Sequence, residues 1–304
     1  SYQKEIGSVT SIELRSKNIA SVKGVELFTQ LQKLDLFNNK LKELDVSKNT
    51  ALTQLWCDFN DLTSLNVSKN TALTGLLCTQ NQLNTLDVSK NTALTHLYCE
   101  FNKLTSLDVS HNTELKCLEC CGNNLTTLDV SNNTKLELLS CYGNKIRGAG
   151  MTTLVNSLYD RRSASLRGEL RVCKNEASDG NAMTAVQVQA ATEKGWDVLQ
   201  YDGSDWVDYE GIPIIEISEE NFPDETFRAH VSYSFDTDKD GYLSDEEIAK
   251  VTEINVSGKG IKSLKGIEYF TELTVLNCSQ NNLATLDVSN NTNLEQLDCS
   301  QCNL

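Results

Sequence analysis

Histidine and proline are nearly missing from this sequence, which has three histidines and two prolines among 304 residues. So few histidines leave little material for acid–base catalysis or for a histidine-ligated zinc site. Lysine and arginine are also scarce, 27 against 42 acidic residues, and the net charge of −15 argues against binding to a phosphate backbone. We therefore expect no nucleic-acid partner.

A long apolar run is missing as well. No stretch approaches the roughly 18 apolar residues of a membrane span, so we expect no membrane insertion. The first residues lack the basic start and apolar stretch of a signal peptide, so any such peptide would lie outside this sequence. With 39% apolar and 23% charged residues, the composition is that of an ordinary globular protein, and the length suggests about two domains.

A strict period of 21 residues dominates the first half of the chain. One turn reads L-x-x-L-x-C-x-x-N-x-L from Leu52 to Leu62, which matches the leucine-rich-repeat pattern with cysteine at its third apolar place. The recurring cysteines and asparagines, interpreted as a structural ladder, are Cys57, Cys78, Cys99, Cys120, Cys141, Asn60, Asn81, Asn102 and Asn123.

The repeat predicts stacked coils, because one coil of this length cannot bury its own apolar side. Alternation along the strand directs Leu55 and Cys57 inward and Trp56 and Asp58 outward. Each column asparagine is expected to hold backbone groups where the chain leaves the strand. About ten residues per return segment are too few for a helix, so short extended or 3₁₀ segments are expected there.

Turns of the form LDVSKNTALTxLxC make residues 9–144 resemble the leucine-rich-repeat proteins of gut and oral anaerobic bacteria and, more distantly, the internalins. The resemblance implies a secreted or cell-surface protein that binds partners and does not catalyse a reaction. The eleven cysteines are interpreted as small buried hydrophobes, because their spacing shows no obvious disulfide pairing or paired metal-binding motif.

The predicted fold class is an α/β repeat in four segments. A leucine-rich-repeat solenoid with a parallel sheet spans 1–144, and a mixed α/β cap spans 145–211. A helical module with an EF-hand loop spans 212–253, and a second leucine-rich-repeat unit starts over 254–304. This division rests on a gapless duplication, since residues 5–47 align with 247–289. The chain begins without the helical module and stops within a turn at Leu304, which suggests that the ends of neighbouring chains stack.

An EF-hand calcium loop is predicted at residues 236–247. Carboxylates stand at positions 1, 3 and 5, a glycine at position 6 and a glutamate at position 12. The expected ligands are Asp236, Asp238, Asp240, the carbonyl of Tyr242, Ser244 and a bidentate Glu247. A single loop is interpreted as a structural calcium clip in preference to a sensor, and an acidic turn without a metal is the alternative.

The outward strand face is the predicted partner site. Core packing does not require aromatic residues there, and aromatics flanked by polar groups are typical of interfaces. The expected contacts are Trp56, Phe59, Leu77, Tyr98 and Phe101. The alternative is that these side chains only pack on one another. An outward aspartate column that includes Asp45 and Asp87 is interpreted as structural, not as a catalytic pair.

These observations favour a non-enzymatic, extracellular or cell-surface module that binds a protein or a glycan. The alternative is a calcium-stiffened surface spacer, or an end-to-end assembling module, without a dedicated ligand. An enzyme is disfavoured, because no nucleophile has a base at a usable spacing.

Overall fold

The computed structural model describes residues 6–174, 179–212 and 214–304, and these form two compact units that divide between Glu210 and Gly211. Glu5, where the first copy of the duplication begins, lies outside the described residues. Among the described residues, no helix is both long and apolar enough to cross a membrane.

The first unit is built on one ten-stranded sheet whose strands follow in chain order. The strands are β1 Ser11–Glu13, β2 Lys33–Asp35, β3 Gln54–Trp56, β4 Gly75–Leu77, β5 His96–Tyr98, β6 Cys117–Glu119, β7 Leu138–Ser140, β8 Gly168–Lys174, β9 Trp196–Tyr201 and β10 Trp206–Asp208. All neighbouring pairs are parallel except β9 and β10. From Leu34 to Leu139, each central leucine pairs with the one 21 residues on. The predicted leucine-rich-repeat solenoid is confirmed.

Leucine, valine and cysteine side chains from successive coils share one interior. The five ladder cysteines, from Cys57 to Cys141, are 0% exposed, and their thiols are free. Burial raises the pKa of Cys57 far above its usual range, because a thiolate loses its solvation in this interior. These thiols therefore act as small apolar side chains.

The asparagine ladder closes the bend after each strand. The Asn81 amide nitrogen donates to the carbonyls of Cys57 and Cys78 at 3.0 and 3.1 Å, and its Oδ1 accepts from the Leu62 amide at 3.0 Å. Asn60, Asn102 and Asn123 repeat the arrangement. One side chain thus satisfies buried backbone groups of its own coil and of the preceding coil.

The residues after strand β7 and its coil add two helices and the last three strands of the first unit. Helix α1 is Gly148–Ser157 and helix α2 is Ala185–Glu193. Thr184 and Gln187 form a capping box at the start of α2. Lys194 donates to three carbonyls at the end of α1, including that of Val155 at 2.9 Å. Strands β8 to β10 continue the sheet and leave the solenoid core covered.

The second unit joins a helical module to further coils. Its elements are β11 Ile214–Glu216, α3 Glu225–Ser234, β12 Tyr242–Ser244, α4 Asp245–Ala249, β13 Glu253–Asn255, β14 Val275–Asn277 and β15 Gln296–Asp298. Phe227, Leu243 and Leu276 belong to one buried core, so the module packs on the coils of its own unit. The two copies of the duplicated sequence have the same secondary structure. The 3₁₀ turns at Val25–Leu27 and Ile267–Tyr269 are 242 residues apart, and strands β1 and β13 are separated by the same number of residues.

Candidate functional site

The strand face of the solenoid carries the predicted partner residues in register. Trp56 pairs with Leu77, Leu77 with Tyr98, and Tyr98 with Glu119. Because parallel strands lie about 4.8 Å apart, these side chains form a continuous row across the sheet. Trp56, Leu77 and Tyr98 are each half-buried.

Phe59 and Phe101 project from the turn directly after their strands. Both have left-handed backbone conformations, with φ of 53° and 50°, and they are 47% and 39% exposed. Gln80 adopts the same conformation one coil away, with φ of 53°. Gly122 holds the next place in this column, and a Cβ there would come within 2.4 Å of Cδ1 of Phe101. The ring of Phe101 therefore lies directly against Gly122 of the following coil.

Basic side chains that were not predicted cover Trp56. The guanidinium of Arg15 lies 5.3 Å from the centre of the Trp56 ring, and Nζ of Lys33 lies 4.4 Å from it. Arg15 also donates to Asp35 at 2.6 Å, and the Asp35 side chain is only 1% exposed. Sequence reasoning missed both cations because each belongs to an earlier coil and faces the ring only once the coils are stacked.

Phe37 meets Phe59 edge to face, with ring centres 5.2 Å apart. The predicted partner residues are thus unequally available. Phe59 and Phe101 are exposed, whereas Trp56 is partly occupied by cations of its own chain. Packing and exposure, which the sequence posed as alternatives, occur side by side on this face.

Asp58 differs from the prediction that outward residues are exposed. It lies on the outward side of the sheet but is only 6% exposed. Its Oδ1 accepts from the Thr79 amide at 3.0 Å, and the Thr79 hydroxyl donates to Glu100. Side chains of adjacent coils bury one another along this column. Burial raises the pKa of Asp58 to about 6 and that of Glu100 to about 7.

A group of metal-ligating atoms lies further along the face. One carboxylate oxygen each of Glu100 and Glu119 and the Cys121 thiol lie within 4.8 Å of one another. Cys117 is next to them, with its Sγ 4.0 Å from Oε1 of Glu119. This group was missed because all eleven cysteines were interpreted together as small buried hydrophobes. The signal that could have revealed it is the 21-residue step from Glu100 to Cys121 in one outward column.

The outward aspartate column has a local structural role. Asp45 accepts from the Ser47 amide at 2.9 Å, and Asp87 accepts from the Ser89 amide at 2.9 Å. These hydrogen bonds hold the pKa of Asp87 below its usual range, with a smaller contribution from Lys90. Each aspartate therefore stabilises its own turn.

The predicted calcium loop connects α3 to β12. The Asp236 side chain is 4% exposed and accepts from the amides of Asp240 and Gly241, each at 3.1 Å. Gly241 has a φ of 88°, which a glycine adopts without strain. Carboxylate oxygens of Asp236, Asp238 and Asp240 lie within 4.8 Å of one another. Three of the six predicted ligands are thus together.

Glu247 and Ser244, two further predicted ligands, hydrogen-bond to each other at the start of α4. Glu247 accepts from the amide and hydroxyl of Thr237, at 2.7 and 2.8 Å, and from those of Ser244, at 3.0 and 2.9 Å. Burial alone would raise the pKa of Glu247, but these hydrogen bonds outweigh it and lower the pKa. The two side chains form the capping box of α4, and both carboxylate oxygens of Glu247 accept hydrogen bonds there. Tyr242 lies in β12, where its amide donates to Asp240 at 2.9 Å.

The loop fits a hard divalent cation by the chemistry of its donors. Oδ1 of Asp238 is buried and has no hydrogen-bond partner among the described residues, although it belongs to the carboxylate cluster. Burial raises the pKa of Asp240 to about 6, and the neighbouring aspartates add to this shift. A cation bound by several carboxylate oxygens would remove both the unmet hydrogen-bonding capacity and the repulsion.

Comparison with known proteins gives one sequence relative and several structures. No family model matches the chain. Internalin J of Listeria monocytogenes serotype 4b is 38% identical over 71 residues, which are 23% of this chain. The chain covers only 8% of the length of that relative.

Among solved structures, an internalin (inlF) of Listeria monocytogenes has a TM-score of 0.50 at 20% identity, covering 99% of this chain and 83% of that one. A leucine-rich-repeat protein of Leptospira interrogans has a TM-score of 0.52 at 18% identity, covering 99% of this chain and 80% of that one. These likenesses establish the leucine-rich-repeat fold.

Proposed function

We propose that this chain is a non-enzymatic, secreted or cell-surface module that binds a protein, or alternatively a glycan, through its strand face. The observation that carries the proposal is the exposure of Phe59 and Phe101, at 47% and 39%, beside the half-buried Trp56, Leu77 and Tyr98. Exposed rings beside polar groups are typical anchors of interfaces. The 71 residues similar to internalin J support a protein ligand and a surface location.

The rings are held in place before any partner arrives. Phe59 contacts Phe37, Phe101 lies on Gly122, and Trp56 contacts two cations. A surface whose side chains are already ordered loses little conformational entropy on binding, so a modest area of contact can give a specific complex.

The test is capture from extracellular extracts and glycan arrays, with and without calcium, by the wild type and by a Phe59→Gln, Phe101→Gln variant. Glutamine fits both places because Gln80 adopts the same left-handed backbone in the same column. We expect the variant to lose its partner while its free energy of unfolding stays within about 1 kcal/mol of the wild type.

Leu166→Gln is the matched control, since Leu166 is 73% exposed but lies between α1 and β8, outside the column that holds Phe59 and Phe101. Undiminished capture by the double phenylalanine variant would reject the strand face as the binding surface.

The second candidate is a calcium-stiffened spacer, which the unmet Asp238 oxygen favours. Calcium would be held by Asp236, Asp238 and Asp240, with the Tyr242 carbonyl, Ser244 and Glu247 as further ligands. The ion would supply charge neutralisation, and the loop would then tie α3 to β12 and α4, which share one core with the following coils. End-to-end self-association stays a prediction, which sedimentation at rising protein concentration checks.

Calorimetric titration with calcium and thermal unfolding with and without a chelator test the loop. We expect calcium to raise the melting temperature of the wild type but not of Asp238→Asn, while Asp208→Asn, an exposed change in β10, behaves like the wild type. An equal response in Asp238→Asn would reject this loop as the calcium site. A spacer without a ligand requires, in addition, that no partner is captured through the strand face.

A further inference from the structure

We propose that the strand face holds a second metal site, which binds a divalent transition metal of the zinc class through Glu100, Glu119 and Cys121. The three ligand atoms lie within 4.8 Å of one another, a separation that one bound ion can span. The proposal rests on neither the aromatic contacts nor the calcium loop, since it uses different residues.

The repeat brings the ligands together through backbone pairing. Glu100 and Cys121 occupy the same column in successive coils, where the Phe101 amide donates to the Cys121 carbonyl at 2.9 Å. Glu119 stands at the end of β6, and the Cys99 amide donates to its carbonyl at 2.9 Å. The Thr79 hydroxyl donates to Glu100 and so fixes that carboxylate. The ligands are thus positioned by hydrogen-bonded backbone at the ends of β5 and β6 and directly after them.

The donor set selects the class of metal. A thiolate with two carboxylates is a mixed soft and hard set, which suits zinc, cobalt or cadmium. Calcium requires six to eight oxygen ligands and gains little from sulfur. Three protein ligands leave at least one coordination position open for water or for a ligand group.

The sulfur of Cys121 is buried next to the two carboxyl groups. Cys121 is only 1% exposed, and its Sγ accepts from the Ser140 hydroxyl at 3.8 Å. Burial raises the pKa of the Cys121 thiol to about 12, so a bound metal would have to displace the thiol proton.

The protein itself places little positive charge next to this cluster. Within the described ranges, no lysine or arginine forms an ion pair with Glu100 or Glu119. The nearby Arg171 guanidinium is bonded to Glu169 at 2.9 Å and lies 5.1 Å from the centre of the Trp206 ring. A bound divalent cation would balance the cluster, with Cys117 adjacent at 4.0 Å from Glu119.

Cobalt(II) is the probe, because a thiolate bound to it gives a sulfur-to-metal charge-transfer band that an all-oxygen site cannot give. The reduced full chain is titrated with cobalt, and zinc is then added in competition. We expect the band to form in the wild type, to disappear with zinc and to be absent in Cys121→Ser. Glu100→Gln and Glu119→Gln should each weaken cobalt binding at least about 10-fold.

The matched control is Cys299→Ser with Cys302→Ser, which removes the more exposed thiols of the second unit. The band must persist in this variant and in Asp238→Asn. The proposal is overturned if the wild type gives no band, if Cys121→Ser retains it, or if the control loses it. If Cys121→Ser fails to fold by circular dichroism, unchanged cobalt affinity in both glutamine variants overturns the proposal.

Discussion

Two halves of the same strand face differ in chemistry while sharing one backbone. The aromatic half consists of Arg15, Lys33, Trp56 and Phe59, and the acid–thiol half consists of Glu100, Cys117, Glu119 and Cys121. Both lie on strands paired with the same 21-residue step, so the frame is constant along the face. The difference teaches that the coil fixes where a side chain stands, whereas the outward residue alone decides what that place can bind.

The two halves also differ in how their charges are balanced. In the aromatic half, Asp35 pairs with Arg15 and Glu13 with Lys33, each at 2.6 Å. In the acid–thiol half, Glu100 and Glu119 lie beside each other, and burial together with their mutual repulsion raises the pKa of Glu100 to about 7. One half pairs its carboxylates with cations and offers rings, while the other has two carboxyl groups that form no ion pair among the described residues.

Removing one asparagine of the ladder that both halves share should give the largest loss in the free energy of unfolding. Asn81→Ala leaves the Leu62 amide and the carbonyls of Cys57 and Cys78 without their shared partner in the core. Unmet buried groups cost about 1–3 kcal/mol each, so we expect a loss of about 3 kcal/mol or more in urea unfolding. The exposed Gln82→Ala, one residue further on, is the control and should change little. A small loss for Asn81→Ala would show that the two halves do not depend on the asparagine ladder.

Asp58, between the two halves, gives a pH-dependent effect. The folded chain holds the Asp58 proton up to about pH 6, whereas the unfolded chain releases it near pH 4. The folded state therefore binds more protons in this window, and the free energy of unfolding falls as pH rises through it. Asp58→Asn keeps the acceptor for Thr79 and removes this fall, so it should gain on the order of 2 kcal/mol over the wild type by pH 7.

The comparison residue for this pH profile is Asp87, whose hydrogen bonds from Ser89 lower its pKa. Its contribution has the opposite sign, because the stabilisation that it gives is lost as pH falls through the lowered pKa. Asp87→Asn should therefore reduce the loss of stability in acid. Parallel urea titrations between pH 3 and pH 8 compare the two variants, and equal slopes for Asp58→Asn and the wild type would contradict the assignment.

Removing the charge balance of the aromatic half should have a smaller effect. Arg15→Gln leaves the Asp35 side chain, 1% exposed, with the Phe37 amide at 3.2 Å as its remaining donor, and uncovers Trp56. We expect a loss of about 1–2 kcal/mol in thermal or urea unfolding, moderated because Arg15 itself is 54% exposed. Arg162→Gln breaks a pair in which both partners are exposed, so it should give no measurable loss. Equal effects of the two substitutions would mean that Asp35 does not need its cation.

The sequence predicts the fold well because its period is a packing constraint. Leucine, cysteine and asparagine at fixed steps can satisfy their burial only in stacked coils, so the solenoid follows from the spacing. The outward columns follow from the same register, which places Trp56 beside Leu77.

Contacts within the face depend on side chains from different coils and could not be read from one turn. Arg15 meets Trp56 across 41 positions of the chain. Asp58 is buried by its neighbours although it points outward. Glu247 accepts hydrogen bonds from Thr237 and Ser244, a choice between two partners that a motif does not encode.

The contact between Lys33 and the ring of Trp56 should give the smallest of the expected effects on the free energy of unfolding. Nζ of Lys33 lies 4.4 Å from the ring centre, a contact worth about 0.5–1 kcal/mol near the surface. A double-mutant cycle isolates it, with Lys33→Gln measured in the wild type and in Trp56→Leu, since leucine holds the next place of the column at Leu77. We expect Lys33→Gln to cost about 0.5 kcal/mol more when the ring is present, in urea unfolding at low salt. Equal costs in the two backgrounds would mean that the cation pairs only with Glu13, and the aromatic half would then owe its order to packing alone.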